Sequence, residues 1–154
     1  LAVDIATRMG LPDDEIDHVI LAALIHDIGK IEVPSEILSK PGTLSSLEIQ
    51  LIRTHPEAGR RILSGLQISW PLAEIVFQHH ERLDGSGYPR GISGDEILQA
   101  ARIIAVADVV EAMSSHRPYR PAWPMEAVVA EMTRLRGVAF AAAAVDAWLE
   151  IRAQ

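Results

Sequence analysis

The chain has 154 residues, no cysteine and a formal net charge of −7. Its length fits a single domain that can bury a core without disulfides or structural metals, so any bound metal would be functional. The absence of cysteine excludes thiolate catalysis and zinc-finger ligands, and the acidic balance argues against duplex nucleic acid or anionic membranes as main partners.

The apolar runs are far shorter than the ~20 residues that cross a bilayer, and the start lacks the basic region of a signal peptide. We therefore expect a cytoplasmic protein without membrane insertion. The chain opens on Leu1, inside a predicted helix. This indicates a piece of a longer protein.

The first predicted helix places Leu1, Ile5 and Met9 on one face. A second begins after Pro12 with acidic residues that suit the helix dipole, and it ends near residues 26–27. Its predicted inward residues are Ile16, Val19, Ile20, Ala23 and Leu24.

The sequence pattern in the middle of the chain predicts three further helices and a long loop. Ser45 and Glu48 have capping-box spacing, and the helix that they open runs to residue 54. His55-Pro56 starts the next helix, because proline is favoured in a first turn. Residues 71–80 form an amphipathic helix, and the stretch 82–93 is a loop rich in glycine and proline.

The remaining predicted helices cover residues 100–113, 125–135 and 138–152. No window alternates apolar and polar residues over the length of a strand. The sequence therefore predicts an all-α, single-domain helical bundle with about seven helices.

His26 and Asp27 directly follow a wholly apolar run from Val19 to Ile25. Burying such groups costs several kcal/mol unless something pairs with them, and a metal cation is a common partner for both. The structural alternative is a satisfied core histidine and a helix cap.

Asp108 lies inside another apolar stretch, where an unpaired carboxylate would be very unfavourable. A nearby cation would relieve this cost. An ion pair with Arg102 or Arg117 would do so as well, and the sequence leaves both open.

Six imidazole and carboxylate side chains occupy comparable places at helix ends or inside apolar helices. Together they suffice for two divalent ions if one carboxylate bridges them, and two-metal sites of this kind, with ions about 3.5–4 Å apart, hydrolyse phosphoesters by in-line attack. The six are His26, Asp27, His55, His79, His80 and Asp108.

The sequence resembles the HD-GYP family, the branch of HD-domain phosphohydrolases that degrades cyclic di-GMP. Four blocks match in the family's order, from about residue 21 to residue 120. They are His26-Asp27 with Gly29-Lys30, His55-Pro56-Glu57-Ala58-Gly59, the run HHERLDGSGYP from His79 to Pro89, and Ala107-Asp108 followed by Arg117-Pro118-Tyr119-Arg120. The third block is the most specific.

The resemblance implies a helical bundle of the HD-domain type and a role for each matching residue. The six residues named above would be the metal ligands, with Asp27 bridging two ions. Lys30 would face a substrate phosphate, and Tyr88, Arg117 and Arg120 would line the substrate pocket. Lys30 could instead suit its helix dipole, Tyr88 could pack a loop, and the two arginines could be surface charges or partners of Glu111.

The implied activity is metal-dependent hydrolysis of cyclic di-GMP to the linear dinucleotide pGpG, with further hydrolysis to GMP left open. Asp27 and Lys30 would be the catalytic residues. The implied cofactors are two divalent ions, iron or manganese by preference and nickel or zinc as alternatives. A sensor or receiver domain in the full-length protein would regulate the activity. The alternatives are a silent cyclic di-GMP or partner-binding module and a hydrolase of another nucleotide.

The sequence departs from the family in three places. Some members hold a third metal through a glutamate and a histidine ahead of the position of Leu1, so we expect residues 1–154 to be an HD-GYP domain lacking all or part of its first helix. Glu111 replaces an aspartate common in relatives. Phe140-Ala141-Ala142 replaces the usual Phe-Asp-Pro, which predicts a local change at the last helix.

Overall fold

A computed structural model describes residues 1–116 and 121–153. The described residues form nine α-helices, one of them a single turn, and two 3₁₀ turns, Ile28–Glu32 and Gly94–Glu96. The helices are α1 Ala2–Arg8, α2 Asp13–Ile25, α3 Ser35–Leu38, α4 Ser46–Ile52, α5 His55–Leu63, α6 Leu72–Gln78, α7 Gln99–Ser114, α8 Met125–Leu135 and α9 Ala142–Arg152. The described residues contain no strand, which confirms the all-α prediction.

Helix α7 is the centre of the domain. It packs against α1, α2, α6, α8 and α9. Half of its 16 residues are buried and only Gln99 and Glu111 are exposed, as expected for a helix that is apolar on nearly all sides. Two acidic residues of this helix, Asp108 and Glu111, line a cavity that His26 and Asp27 also line.

The structure confirms several of the predicted helix starts. Ser45 accepts from the backbone N–H of Glu48, whose carboxylate accepts from the N–H of Ser45, so the capping box that starts α4 is complete. Helix α5 begins at His55 with Pro56 in its first turn. The loop predicted after residue 81 also lacks helix until the second 3₁₀ turn.

The predicted inward face of α2 is partly wrong. Val19 is buried, whereas Ile20 is 37% exposed and Leu24 is 76% exposed. Ala22 is fully buried instead. Residues 19–25 are all apolar, so this half of the helix has no polar side chain that defines its rotation, and small alanine side chains allow the closest approach to the neighbouring helices.

The two ends of the chain differ from the pattern of the sequence. Leu1, predicted on the same helical face as the buried Ile5, is 44% exposed, because a residue at a helix end has few neighbours. The last helix begins at Ala142 rather than at residue 138. Its N-cap, Ala141, has no side chain that could accept from the first free N–H groups.

In the part of the chain that the structure describes, no helix is both long enough and apolar enough to span a bilayer.

Candidate metal centre

Two glycines bring the His-Asp turn against α5. A Cβ on Gly29 would meet the carbonyl oxygen of His55 and lie 2.5 Å from the backbone nitrogen of Gly59. Gly59, one turn after His55, is also closely packed, since its own Cβ would lie 2.9 Å from Val76. Glycine at both positions therefore permits a backbone contact that places Asp27 beside His55.

The ligand atoms of four of the predicted residues converge. Those of Asp27, His55, His79 and His80 lie within 4.8 Å of one another. The Nε2 atoms of His55 and His79 are 3.2 Å apart, and Oδ1 of Asp27 is 3.3 Å from Nε2 of His55. Such separations are expected for atoms that each lie about 2.1 Å from a common ion.

Three histidines of the site are oriented in the same way. Nδ1 of His26 is 2.7 Å from the carbonyl oxygen of Ala23, and Nδ1 of His55 is 2.7 Å from that of Ile52. Nδ1 of His79 is 2.5 Å from the carbonyl oxygen of Val76. Because a carbonyl oxygen only accepts, Nδ1 donates in each case and Nε2 of the neutral ring keeps its lone pair for the site.

This arrangement makes the centre an assembly of acceptors. Two Nε2 lone pairs and Oδ1 of Asp27 face one another at 3.2–4.0 Å with no donor between them. Acceptors held so close repel unless a cation or a proton lies among them. The donor set therefore fits a divalent metal ion.

The two remaining predicted ligands, His26 and Asp108, lie on the side of the second oxygen of Asp27. Nε2 of His26 is 3.5 Å from Oδ2 of Asp27 and 3.9 Å from Oδ1 of Asp108. Nδ1 of His80 is 3.9 Å from Oδ2 of Asp108. Asp27 thus presents one oxygen to His55 and His79 and the other toward His26, as a carboxylate shared by two ions requires.

The alternative prediction that Asp108 forms an ion pair with Arg102 is wrong. Arg102 donates to the carbonyl oxygens of Ile97 and Gly94 and pairs with Asp95 at 3.1 Å. The other proposed partner, Arg117, lies outside the described residues.

The histidines of the cluster have depressed basicity. Burial lowers the pKa of His55, of His79 and of His80, because a charged imidazolium is disfavoured away from water. Neutral imidazole is the form that binds a metal. Three ligands are thus in the binding form at neutral pH.

The pKa values of the two carboxylates, Asp27 and Asp108, are shifted in opposite directions. Burial raises the pKa of Asp108. Burial acts in the same direction on Asp27, but the hydrogen bond from Lys30 and the positive charge of that lysine act against it, and the pKa of Asp27 lies below its usual value. Asp27 is therefore the carboxylate held ready as an anion.

Lys30 donates from Nζ to Oδ2 of Asp27 at 2.6 Å. It thus competes with a cation for this oxygen and also stands where it could reach a bound anion. A cavity of about 360 Å³ opens at this point, within the range of small-molecule sites. Its polar lining consists of His26, Asp27, Lys30, Asp108 and Glu111.

Of the predicted substrate contacts, Tyr88 is half-buried and stacks on His80, with 4.7 Å between ring centroids. It is not among the residues that line the cavity. Arg117 and Arg120 lie outside the described residues. Their predicted roles, like that of Tyr88, stay predictions.

Sequence reasoning missed two arginines near the cluster. The guanidinium carbon of Arg53 lies 5.0 Å from the Tyr88 ring centroid. Arg82 donates to the carbonyl oxygen of Glu81 at 2.9 Å, and burial lowers its pKa. Arg53 lies two residues before the His55 block and Arg82 lies within the third block, but only their tertiary contacts distinguish them from surface charges.

The fold and the centre define an all-α domain with a histidine and aspartate cluster suited to metal-dependent phosphohydrolysis. The chain belongs to the HD-domain family, because the family model described as "HD domain" matches residues 1–142.

The curated relatives strengthen the resemblance to the HD-GYP branch. The chain is 45% identical over 152 residues to the "Cyclic di-GMP phosphodiesterase response regulator RpfG" of Xanthomonas campestris, covering 97% of this chain and 40% of the relative. It is 43% identical over 128 residues to the "3'3'-cGAMP-specific phosphodiesterase 3" of Vibrio cholerae, covering 83% and 28%. The chain spans less than half the length of these relatives.

The fold is shared with a solved structure, the protein Bd1817 of Bdellovibrio bacteriovorus, described as an HDG"Y"P protein. The TM-score is 0.80 at 17% identity, over 99% of this chain and 49% of the other. The sequence resemblance to HD-GYP proteins is thus confirmed.

Proposed function

We propose that this domain is a metal-dependent phosphodiesterase that hydrolyses cyclic di-GMP to the linear dinucleotide pGpG. The observation that carries the proposal is the convergence of acceptor atoms on both oxygens of Asp27. The relatives named for cyclic di-GMP hydrolysis support the choice of substrate.

Two divalent ions, with iron or manganese favoured, would be held by the six residues and would share Asp27. Such ions supply Lewis-acid stabilisation of a phosphodiester and lower the pKa of water. His55, His79 and His80 would hold one ion with one oxygen of Asp27. His26 and Asp108 would hold the second with its other oxygen.

The remaining chemistry falls to the residues of the cavity. In hydrolysis a water oxygen forms a bond to phosphorus, the bond to the 3′ oxygen breaks, and that oxygen takes up a proton. Lys30 is a compact cation at the cavity wall, so it would stabilise charge on the non-bridging phosphate oxygens in the transition state. Its ion pair with Asp27 would give way when Asp27 binds the ions.

A second candidate substrate is 3'3'-cGAMP. Relatives named as specific for it match this chain at 37–43% identity, close to the 35–45% of those named for cyclic di-GMP. Both substrates contain the same kind of phosphodiester ring, so the metal centre does not discriminate between them. An attached regulatory domain would control either activity, as the name of the response-regulator relative suggests.

The test is a combined metal and turnover measurement. The protein is reconstituted anaerobically with Fe²⁺ or Mn²⁺, its bound metal is counted, and cyclic di-GMP, 3'3'-cGAMP and cyclic di-AMP are assayed as substrates. We expect two metal equivalents and the fastest turnover with cyclic di-GMP. Asp27→Ala should lose both metal and turnover, whereas Asp146→Ala, a remote carboxylate paired with Arg136, should keep them.

Fewer than two metal equivalents in the reconstituted protein would contradict the two-metal proposal. Two equivalents without turnover of any cyclic dinucleotide would favour a silent binding module. Faster turnover of 3'3'-cGAMP than of cyclic di-GMP would reassign the substrate and leave the metal centre intact.

A further inference from the structure

His80 differs from the other histidines of the candidate metal centre. Each of the other three donates from Nδ1 to a backbone carbonyl oxygen three residues earlier. Within the described residues, the ring of His80 makes no hydrogen bond, and its Nδ1 lies 3.9 Å from Oδ2 of Asp108. A histidine that ligates a metal is normally oriented by a contact to its other ring nitrogen. Since His80 has no such hydrogen bond in the described part of the chain, a different contact would have to fix the plane of its imidazole before metal binds.

Aromatic stacking supplies that contact. The rings of His80 and Tyr88 are stacked, with centroids 4.7 Å apart and planes 24° from parallel. The ring of His80 also meets those of His79 and His55, with centroids 4.0 and 5.0 Å away. The guanidinium of Arg53 lies over the Tyr88 ring and adds a cation–π contact.

The backbone holds Tyr88 in this place. Its N–H donates to the carbonyl oxygen of His80 at 3.2 Å. The preceding Gly87 packs so tightly that a Cβ would lie 2.5 Å from that same carbonyl oxygen. The loop is thus folded back on the residue whose ring Tyr88 covers.

A buried carboxylate fastens the far end of the same turn. Glu81 is only 2% exposed, and its Oε1 accepts from the backbone N–H of Arg90 at 2.8 Å. Arg90 also pairs with Glu74 of α6. The loop therefore returns to the helix that precedes His79 and His80.

We propose that Tyr88 is a positioning residue for His80: its ring fixes the plane of the imidazole and so takes the place of the carbonyl contact that the other three histidines have. This role rests on the proposed metal centre. It is separate from the substrate contact predicted for Tyr88, because it acts on metal binding before any substrate is present.

The test measures metal affinity rather than activity. The metal-free protein is titrated with Co²⁺, followed by visible absorption and by competition with a chelator. His80→Ala identifies the binding step that depends on His80. Tyr88→Leu should weaken that same step by about tenfold, the usual effect of losing a contact that orients a ligand.

Two matched variants separate ring stacking from other effects. Tyr88→Phe keeps the ring and removes the hydroxyl, so it should bind Co²⁺ as the wild type does. Trp70→Leu removes the other histidine stack, that of Trp70 on His18 with centroids 4.1 Å apart, and should leave Co²⁺ affinity unchanged. Thermal unfolding of each metal-free variant checks the fold, and Tyr88→Met is measured beside Tyr88→Leu as a second non-aromatic replacement, which is longer and unbranched.

Wild-type Co²⁺ affinity in both Tyr88→Leu and Tyr88→Met would overturn the proposal. Equal weakening in Tyr88→Phe and Tyr88→Leu would also overturn it, because the hydroxyl and not the ring would then be responsible. A wild-type protein that binds no Co²⁺ would instead refute the metal centre itself, so the two failures are distinguishable.

Discussion

The candidate metal centre has a buried half and an open half. The side chains of His55 and His79 are 1% and 0% exposed, whereas those of Asp108, His26 and Lys30 are 21%, 23% and 37% exposed. The open residues line the cavity, and the two buried histidines do not. One proposed metal position is thus enclosed by protein, whereas the proposed ligands His26 and Asp108 also line the cavity where a substrate would bind.

Asp27 joins the two halves. Oδ1 faces the buried histidines, and Oδ2 faces His26 and Lys30. A change at the buried histidines should therefore alter metal content first, and a change at Lys30, which is not a proposed ligand, should alter turnover first. A change at Asp27 should alter both.

The largest effect is expected from Asp27→Asn. The amide keeps the shape but removes the charge and one acceptor oxygen, so we expect loss of both ions and a fall in turnover of roughly 10³-fold or more. Metal analysis and a cyclic di-GMP assay measure this. If the variant kept two ions, Asp27 would not be their shared ligand.

Lys30→Met tests the open half alone. We expect turnover to fall by about 100-fold, as when one transition-state donor is removed, with metal affinity undiminished because Lys30 no longer competes for Asp27. Lys40→Met is a matched control, since Lys40 is 38% exposed and pairs with Glu48 at 2.8 Å. Equal losses in the two variants, or metal loss in Lys30→Met, would contradict the assignment.

Gly29→Ala tests how the two halves are brought together. The added methyl group would enter the backbone of α5, so we expect a loss of about 1–3 kcal/mol in the free energy of unfolding, together with weaker metal binding. Gly65→Ala is the control, because the nearest atom to its Cβ would be 3.8 Å away. Denaturant unfolding of both metal-free variants provides the comparison, and equal stabilities would refute the close contact.

The pH dependence of the metal-free domain should reflect the buried histidines. Their pKa values are lower in the folded state than the unfolded value near 6.5, so the unfolded chain binds more protons below that pH. The free energy of unfolding should therefore fall as pH decreases from 7 toward 5.5. The raised pKa of Asp108 has the opposite effect on stability. It concerns the proton of one group, whereas the lowered histidine pKa values concern three.

Urea unfolding at several pH values, with a chelator present, measures this slope. His79→Gln should reduce it, because one of the depressed groups is gone. A stability that stays constant or rises over this interval would show that the histidines are not held neutral by burial.

The sequence was sufficient to predict the helices that have local start signals. It was also sufficient to predict which residues form the candidate metal centre. The capping box at Ser45 and the His55-Pro56 start depend on neighbouring residues, and both are confirmed. The rotation of α2, with Leu24 exposed, depends on distant partners and was predicted wrongly. The second half of α2, residues 19–25, is apolar on every side, so no local pattern distinguishes its buried face.

The site was predictable in its members but not in its internal differences. All four histidines and Asp27 were named from the sequence, and the structure brings their ligand atoms together. The separate orientation of His80 through Tyr88 was not foreseen, because it depends on a loop that folds back over eight residues. Arg53 is an equally nonlocal neighbour of that ring.

The most direct test of the shared Asp27 is anomalous diffraction from crystals of the Mn²⁺-loaded protein. The two-metal account predicts two anomalous peaks about 3.5–4 Å apart, one near each oxygen of Asp27. One peak should lie beside His55 and His79, and the other beside His26 and Asp108. A single peak, or two peaks that do not share Asp27, would contradict it.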